Sequence, residues 1–149
     1  MAWTDSGVVS YYVYAMGTNA VKVTTDGFKV ALFGSGVSPT QSASVTVSEY
    51  GGAGSTWDTT NEVSSSNYIA GGASVSGVSW TQNYNSQGNN VVTMASPASP
   101  SWSTVTFTSY GAFVYDTTTA LTNLGLSWNY FGGSQQVTSG TSNFQGVAA

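Results

Sequence analysis

Short runs of alternating apolar and polar residues, each ended by Gly, Ser, Asn or Asp, dominate this chain and leave little room for helix. The period of two is that of a β-strand with one buried face. A continuously apolar run instead predicts a central strand buried on both faces, as at Ala112–Tyr115. The pattern predicts an all-β fold, a single antiparallel β-sandwich domain. The main alternating runs are Phe28–Phe33, Val45–Glu49, Trp102–Ser109 and Leu124–Trp128.

The N-terminal part is less regular. Val8, Tyr12 and Met16 are spaced to share one face of a short helix, although Val and Tyr also favour strands. We therefore expect residues 1–27 to form an N-terminal arm or first element, with a short helix or strand from Val8 to Met16. Residues 28–149 then form the β-sandwich domain.

The N-terminal segment is also aromatic, and Asp5 is its one charged residue up to Tyr14. Aromatic side chains are enriched at protein interfaces. This favours an arm that contacts a neighbouring subunit, and the alternative is an ordinary first element of the same domain. The candidate interface residues are Trp3, Tyr11, Tyr12 and Tyr14.

Charged residues make up 5% of the chain, and His, Cys and Arg do not occur. Histidine usually performs proton transfer near neutral pH, and the absent thiols and imidazoles exclude thiolate and imidazole metal sites. We predict no catalytic residues, no cofactor and no metal site. A formal net charge of -4 without arginine argues against nucleic-acid binding. No apolar run approaches the about 20 residues of a membrane-spanning helix.

Three of the carboxylates lie in segments that predict loops or turns. Asp58 and Glu62 lie four residues apart and offer oxygen ligands of the kind that calcium prefers, but a loop in which Glu62 caps backbone amides is favoured. Asp116 precedes three threonines and indicates the turn at the end of a strand. A pair of carboxylates for glycoside hydrolysis is conceivable, yet no spacing brings a particular two together.

Exposed aromatic rings among amide side chains are typical of carbohydrate-binding surfaces. Trp80, Trp102 and Trp128 lie in alternating runs and are expected to fill the core. Trp57 and Tyr84 remain as candidates for stacking on a sugar ring.

Three segments follow one another along the chain: residues 28–32, residues 60–72 with Asn61-Glu62-Val63 and Tyr68-Ile69-Ala70-Gly71-Gly72, and residues 112–116. In this order they resemble a group of small tailed-bacteriophage virion structural proteins. In that group the middle segment reads approximately N-E-V-x-G-x-G-Y-x-A-G-G. Here Ser65 and Asn67 stand in place of its two inner glycines, and Asn67 is able to adopt the left-handed conformation. The resemblance covers about residues 28 to 131.

The resemblance implies a minor capsid or decoration protein without catalytic residues. We expect a cement protein on the outer capsid surface, made in the host cytoplasm. Its partners would be the major capsid protein and copies of itself, with no nucleic acid and no membrane. A tail or fibre-associated component and a host-glycan binding module are the alternatives.

Overall fold

The computed structural model of the chain describes residues 3–22, 24–39, 48–75, 78–84, 90–95, 99–118, 121 and 123–144. Its regular elements are mostly antiparallel strands, with one short helix among the described residues. The all-β fold expected from the sequence is confirmed. The elements are β1 (Gly7–Val8), α1 (Ser10–Gly17), β2 (Phe28–Phe33), β3 (Ala73–Val75), β4 (Ser79–Tyr84), β5 (Asn90–Ala95), β6 (Ser101–Asp116) and β7 (Gly125–Asn143).

Five strands form the main sheet in the order β1-β7-β6-β2-β3, and every pair in it is antiparallel. β4 and β5 pair with each other as a separate two-stranded sheet. The predicted strand Phe28–Phe33 has the bounds of β2. The apolar run Ala112–Tyr115 lies in β6 between β2 and β7, so its prediction as a central strand is confirmed. The predicted strand at Val45–Glu49 falls mostly outside the described residues.

Both faces of the central strands are covered. Side chains alternate between faces along β6, so Phe113 and Tyr115 point to one face and Val114 and Asp116 to the other. The indole of Trp57 stacks on Phe113 with ring centroids 4.1 Å apart. The loop that carries Trp57 therefore covers the first face. On the second face Tyr12 of α1 lies against Asp116, with its hydroxyl 3.4 Å from Oδ2.

The N-terminal segment belongs to this core. Trp3 is 1% exposed and its ring lies over Gly111, where an added Cβ would come within 2.4 Å of the indole. Tyr12 is fully buried beneath α1. Val8 lies in β1 and pairs with Ser127, so the helix begins only at Ser10. The expectation that Trp3 and Tyr12 reach onto a neighbour is therefore wrong: both rings fill their own domain.

β6 and β7 form a long hairpin that extends beyond the rest of the sheet. Its two strands stay paired from Tyr115–Gly125 to Ser101–Asn143, through several register shifts. In the extension, Trp102, Val105 and Phe107 are buried while the residues between them are exposed, which confirms the half-buried strand predicted there. None of the described helical residues form a stretch long and apolar enough to span a bilayer.

Candidate functional site

Glu62 is the centre of the most densely hydrogen-bonded cluster in the described chain. Its side chain is 8% exposed, although a carboxylate is costly to bury unless it is hydrogen-bonded. The Tyr68 hydroxyl donates to Oε1 at 2.5 Å and the Tyr50 hydroxyl donates to Oε2 at 2.6 Å. The Gly71 amide donates to both oxygens at 3.0 Å. Three donors thus compensate the carboxylate for the water it has lost.

The Tyr68 hydroxyl is also hydrogen-bonded to the main sheet. It accepts a hydrogen bond of 2.8 Å from the amide of Leu32, in β2. β3 pairs with β2 only as far as Val30. Beyond Leu32, Glu62 pairs with Phe33 of β2 as an isolated antiparallel bridge. Leu32 therefore presents its amide between two pairing segments. The Tyr68 hydroxyl fills this gap in the ladder and donates its own hydrogen bond to Glu62.

The two glycines of the motif are required for different reasons, Gly72 by close approach and a positive φ and Gly71 by its positive φ alone. Gly72 has φ of +71°, and an added Cβ would lie 1.8 Å from the carbonyl oxygen of Val30. Gly71 has φ of +88°, and its carbonyl accepts a 2.6 Å hydrogen bond from the Tyr115 hydroxyl. L-residues with a Cβ rarely adopt this backbone region. The glycine pair lets the loop lie directly against β2.

Ser65 and Asn67, which replace two glycines of the resembled pattern, bind the edge of β6. Ser65 Oγ accepts from the Thr106 amide at 3.0 Å, and Asn67 Nδ2 donates to the Thr104 carbonyl at 3.0 Å. Thr104 has φ of +54°, at an irregular point of the strand. The two side chains thus satisfy backbone groups that no neighbouring strand reaches there.

The electrostatics of the cluster keep its tyrosines neutral. Burial, followed by the hydrogen bond and the charge of Glu62, raises the pKa of Tyr68 far above its ordinary value. The same causes in the same order raise the pKa of Tyr50. Burial and then the Glu62 charge raise the pKa of Tyr115. The Tyr68 and Tyr50 hydroxyls therefore keep their protons near neutral pH and act as hydrogen-bond donors to Glu62. Through the Tyr68 hydroxyl the cluster joins the loop of Glu62 to β2.

The other candidate acids are also engaged in local structure. Asp58 Oδ1 accepts from the amides of Thr60 and Asn61 at 3.0 and 3.1 Å, in the manner of an Asx turn. Asp116 is fully buried and accepts from the Thr118 amide at 2.9 Å, in agreement with the strand-ending turn expected there. Burial raises the pKa of Asp116, the Thr118 amide opposes this, and the nearby Asp26 charge adds to the rise.

The structure does not support Trp57 as a sugar platform. Its indole is 2% exposed, stacked on Phe113 and packed edge-on against Trp3 and Phe33. No face of the ring is open to a ligand, so the expectation of an exposed ring is wrong. Tyr84 is the last residue of β4, and its side chain lies outside the described part of the structure.

Of the N-terminal aromatic candidates, Tyr14 is exposed and Tyr11 is half-buried against the core. Tyr14 is 62% exposed, and its ring centroid lies 5.6 Å from that of Tyr11. Val13 beside them is 52% exposed. We call these three residues the α1 ridge. It is a small apolar surface on a helix that packs on the core through Tyr12 and Ala15, and it contains two of the four predicted contact residues, Tyr11 and Tyr14.

A groove of about 810 Å³ lies along the β6–β7 hairpin. Its walls combine amide side chains such as Asn129 and Gln135 with the aromatic rings of Tyr130, Phe131 and Phe144. None of the lining residues is charged. Sequence reasoning missed this groove, because its residues converge only through the hairpin. Its chemistry suits a neutral ligand with many hydroxyl groups.

Within the described ranges, no three His, Cys, Asp or Glu side chains converge into a metal site. Sequence reasoning identified Glu62 and the glycine pair but missed Tyr50 and Tyr115 as partners of the cluster. Comparison with known proteins finds no family model, no curated protein and no solved structure that matches this chain.

Proposed function

We propose that this chain is a structural protein of a tailed-bacteriophage virion, a decoration or cement protein on the outer capsid surface. The observation that carries the proposal is what the resembled motif does here. Glu62, Tyr68 and Gly71 form a buried, fully engaged network that fixes a loop to the sheet. A motif used in this way supports a protein whose task is to keep its shape.

The charge pattern supports the same reading. A surface of hydroxyl and amide side chains is cheaper to dehydrate than one rich in Lys and Glu, so it suits permanent contact with neighbouring subunits. The acidic balance, with a sequence pI near 4.1, suits a position away from packaged DNA. A protein that binds the assembled shell better than free subunits stabilises the shell by mass action, without any chemistry.

The α1 ridge is our candidate for the contact with the major capsid protein. Exposed apolar side chains that are packed together mark protein interaction sites more often than isolated ones do. Tyr14 combines a large apolar ring with a hydroxyl, the type of side chain that dominates interface energetics. Because α1 is anchored through Tyr12, the ridge is presented on a fixed element.

The test uses particles that lack this protein. Purified chain is added to them, and its binding is followed by co-sedimentation and by electron cryomicroscopy. We expect density on the outer capsid lattice, and at least about a tenfold loss of affinity for Tyr14→Ala, the size expected for an interface anchor. Ile69→Ala is the matched control, since Ile69 is 78% exposed but far from α1 in sequence. Density confined to the tail would favour the tail component, and no binding to any particle would contradict both.

The β6–β7 groove favours a second candidate function, the binding of a neutral glycan. Aromatic rings that stack on sugar faces and amides that pair with hydroxyls are the usual elements of such a site. Isothermal titration with neutral bacterial surface polysaccharides would test it. Binding that is lost in Phe131→Ala but kept in Tyr14→Ala would support the glycan function, and the absence of binding by the unaltered chain would exclude it for those sugars.

A further inference from the structure

Along most of its length, the outer edge of β7 pairs with no strand among the residues that the structure describes. β1 pairs with it only at Ser127 and Trp128, and the Ser6 hydroxyl accepts from the Tyr130 amide just beyond. From residue 131 to Asn143 no other strand of the described chain pairs with this edge. An open edge presents unpaired backbone amides and carbonyls to any other strand that approaches.

Proteins usually protect such an edge with charge, proline or a covering loop. β7 carries no charged residue and no proline from Gly125 to Asn143. Positive φ angles at Gly132, Gly133 and Ser139 break its regularity, but residues 135–137 between them pair with β6 in an uninterrupted register. These irregularities limit the regular part of the edge to the segment between them, and they do not cover that segment.

The opposite edge of the same hairpin, formed by β6, is hydrogen-bonded by side chains. There Ser65 and Asn67 hydrogen-bond the backbone of β6 at Thr106 and Thr104. Within the described part of the chain, side chains thus satisfy one edge of the hairpin, and no strand pairs with the other edge from residue 131 onward.

We infer that the partner of this edge is a second copy of the chain, paired antiparallel along residues 134–138. A twofold axis that joins the same edge of two copies within one sheet runs the strands in opposite directions. In such a pair each residue lies opposite the same residue of the other copy, or opposite one close to it in sequence. A charged side chain would therefore face a side chain of the same charge. A strand without charge is the kind that pairs with itself without repulsion. The inference concerns the isolated chain and does not depend on the virion assignment.

Gln136 lies at the middle of the segment and its side chain is exposed, so it lies near the twofold axis of the dimer. Lysine at this position would place two like charges close together across the axis, and glutamate would do the same. A mixture of the two variants would instead place lysine against glutamate. Thr108 offers the matched control. It lies opposite Gln136 on the neighbouring strand β6, and it is also exposed.

Sedimentation velocity over a wide concentration range tests the dimer, with circular dichroism to confirm that each variant is folded. We expect the unaltered chain and Thr108→Lys to dimerise, Gln136→Lys and Gln136→Glu each to be monomeric, and their equimolar mixture to dimerise again. Amide exchange at residues 134–138 should slow as the concentration of the unaltered chain rises. A monomer at every concentration, dimers of Gln136→Lys as strong as those of the unaltered chain, equal disruption by Thr108→Lys, or a mixture that stays monomeric would each overturn the inference.

Discussion

The hydroxyl of Tyr68 donates a 2.5 Å hydrogen bond to Oε1 of Glu62 while it accepts one from the Leu32 amide. A buried carboxylate is thereby connected to the backbone of β2 through a single side chain. Charge-assisted hydrogen bonds of this kind are about twice as strong as neutral ones. The pair joins the motif loop to the central sheet, and the stability of both should depend on it.

Glu62→Gln should destabilise the protein by about 2 to 3 kcal/mol, because the amide is uncharged and its NH₂ group meets donors where the carboxylate offered acceptors. Equilibrium unfolding in urea measures the loss. Glu49→Gln is the control with the same chemical change. Burial raises the pKa of Glu49, and no hydrogen-bond cluster surrounds its carboxylate among the described residues, so we expect an effect within about 0.5 kcal/mol. Equal effects of the two substitutions would contradict the role of the cluster.

Four tyrosines should resist ionisation until the protein unfolds in alkali. Burial raises the pKa of each above the ordinary value of 10.0, and the carboxylates of Glu62 or Asp116 add to the rise. The folded state holds these protons more tightly than the unfolded chain, so stability is complete below pH 10 and falls as the pH rises above it. Tyrosinate absorbance should therefore contain a cooperative step that coincides with the loss of circular dichroism. Smooth titration of all tyrosines in a folded protein would contradict this. The four are Tyr12, Tyr50, Tyr68 and Tyr115.

The sequence predicted strands better than it predicted their continuity. Trp102–Ser109 and Ala112–Tyr115 were expected as separate strands, but both belong to β6. Leu124–Trp128 was expected as a short alternating run, yet β7 continues beyond it, through Gly132-Gly133, to Asn143. Glycine with positive φ serves equally well in a turn or in a bulge. Whether such a glycine forms a turn or a bulge depends on the strand that pairs with it. A local sequence pattern carries no information about that strand.

The candidate site was predictable in part for the same reason. Glu62 was identified as a residue that caps backbone amides, and it does so at Gly71. Tyr50 donates to Glu62 and Tyr115 donates to the Gly71 carbonyl, and both come from other parts of the chain and join the cluster only after folding. Trp57 lies in a polar loop, which suggested exposure, but the loop folds back over Phe113. Burial of a loop residue depends on contacts that composition does not record.

Gly72→Ala should be among the most disruptive single substitutions in the described chain. Its Cβ would collide with backbone at Val30 and its φ is positive, so we expect a loss of more than about 4 kcal/mol. Gly51→Ala separates the two causes, because Gly51 has φ of +75° but nothing within 4 Å of an added Cβ. That control should cost about 1 to 2 kcal/mol, the strain of the left-handed backbone alone. Thermal unfolding compares the two, and similar values would show that β2 yields to the methyl group.

The bonds from Ser65 and Asn67 should protect the edge of β6. The double substitution Ser65→Ala and Asn67→Ala removes one acceptor for the Thr106 amide and one donor to the Thr104 carbonyl, at about 1 kcal/mol each. Hydrogen exchange at Thr106 should accelerate, since its amide becomes open to water. Ser66→Ala, at an exposed position of the same loop, is the control and should leave the exchange rate unchanged. An unchanged rate in the double variant would show that other contacts close this edge.

Asp116→Asn should make stability less dependent on pH. Burial and the charge of Asp26 raise the pKa of Asp116 above 3.8, so the folded state binds this proton more tightly than the unfolded chain does. Its contribution to stability is complete below pH 3.8 and is lost as the pH rises through the folded-state pKa. Asparagine keeps an acceptor for the Thr118 amide without the charge, so the variant should match the unaltered protein in acid and exceed it in stability near neutral pH. Urea unfolding across this range measures the difference, with Asp5→Asn as the control for loss of an exposed negative charge. A variant that is less stable at neutral pH would mean that the charged carboxylate is favoured where it lies.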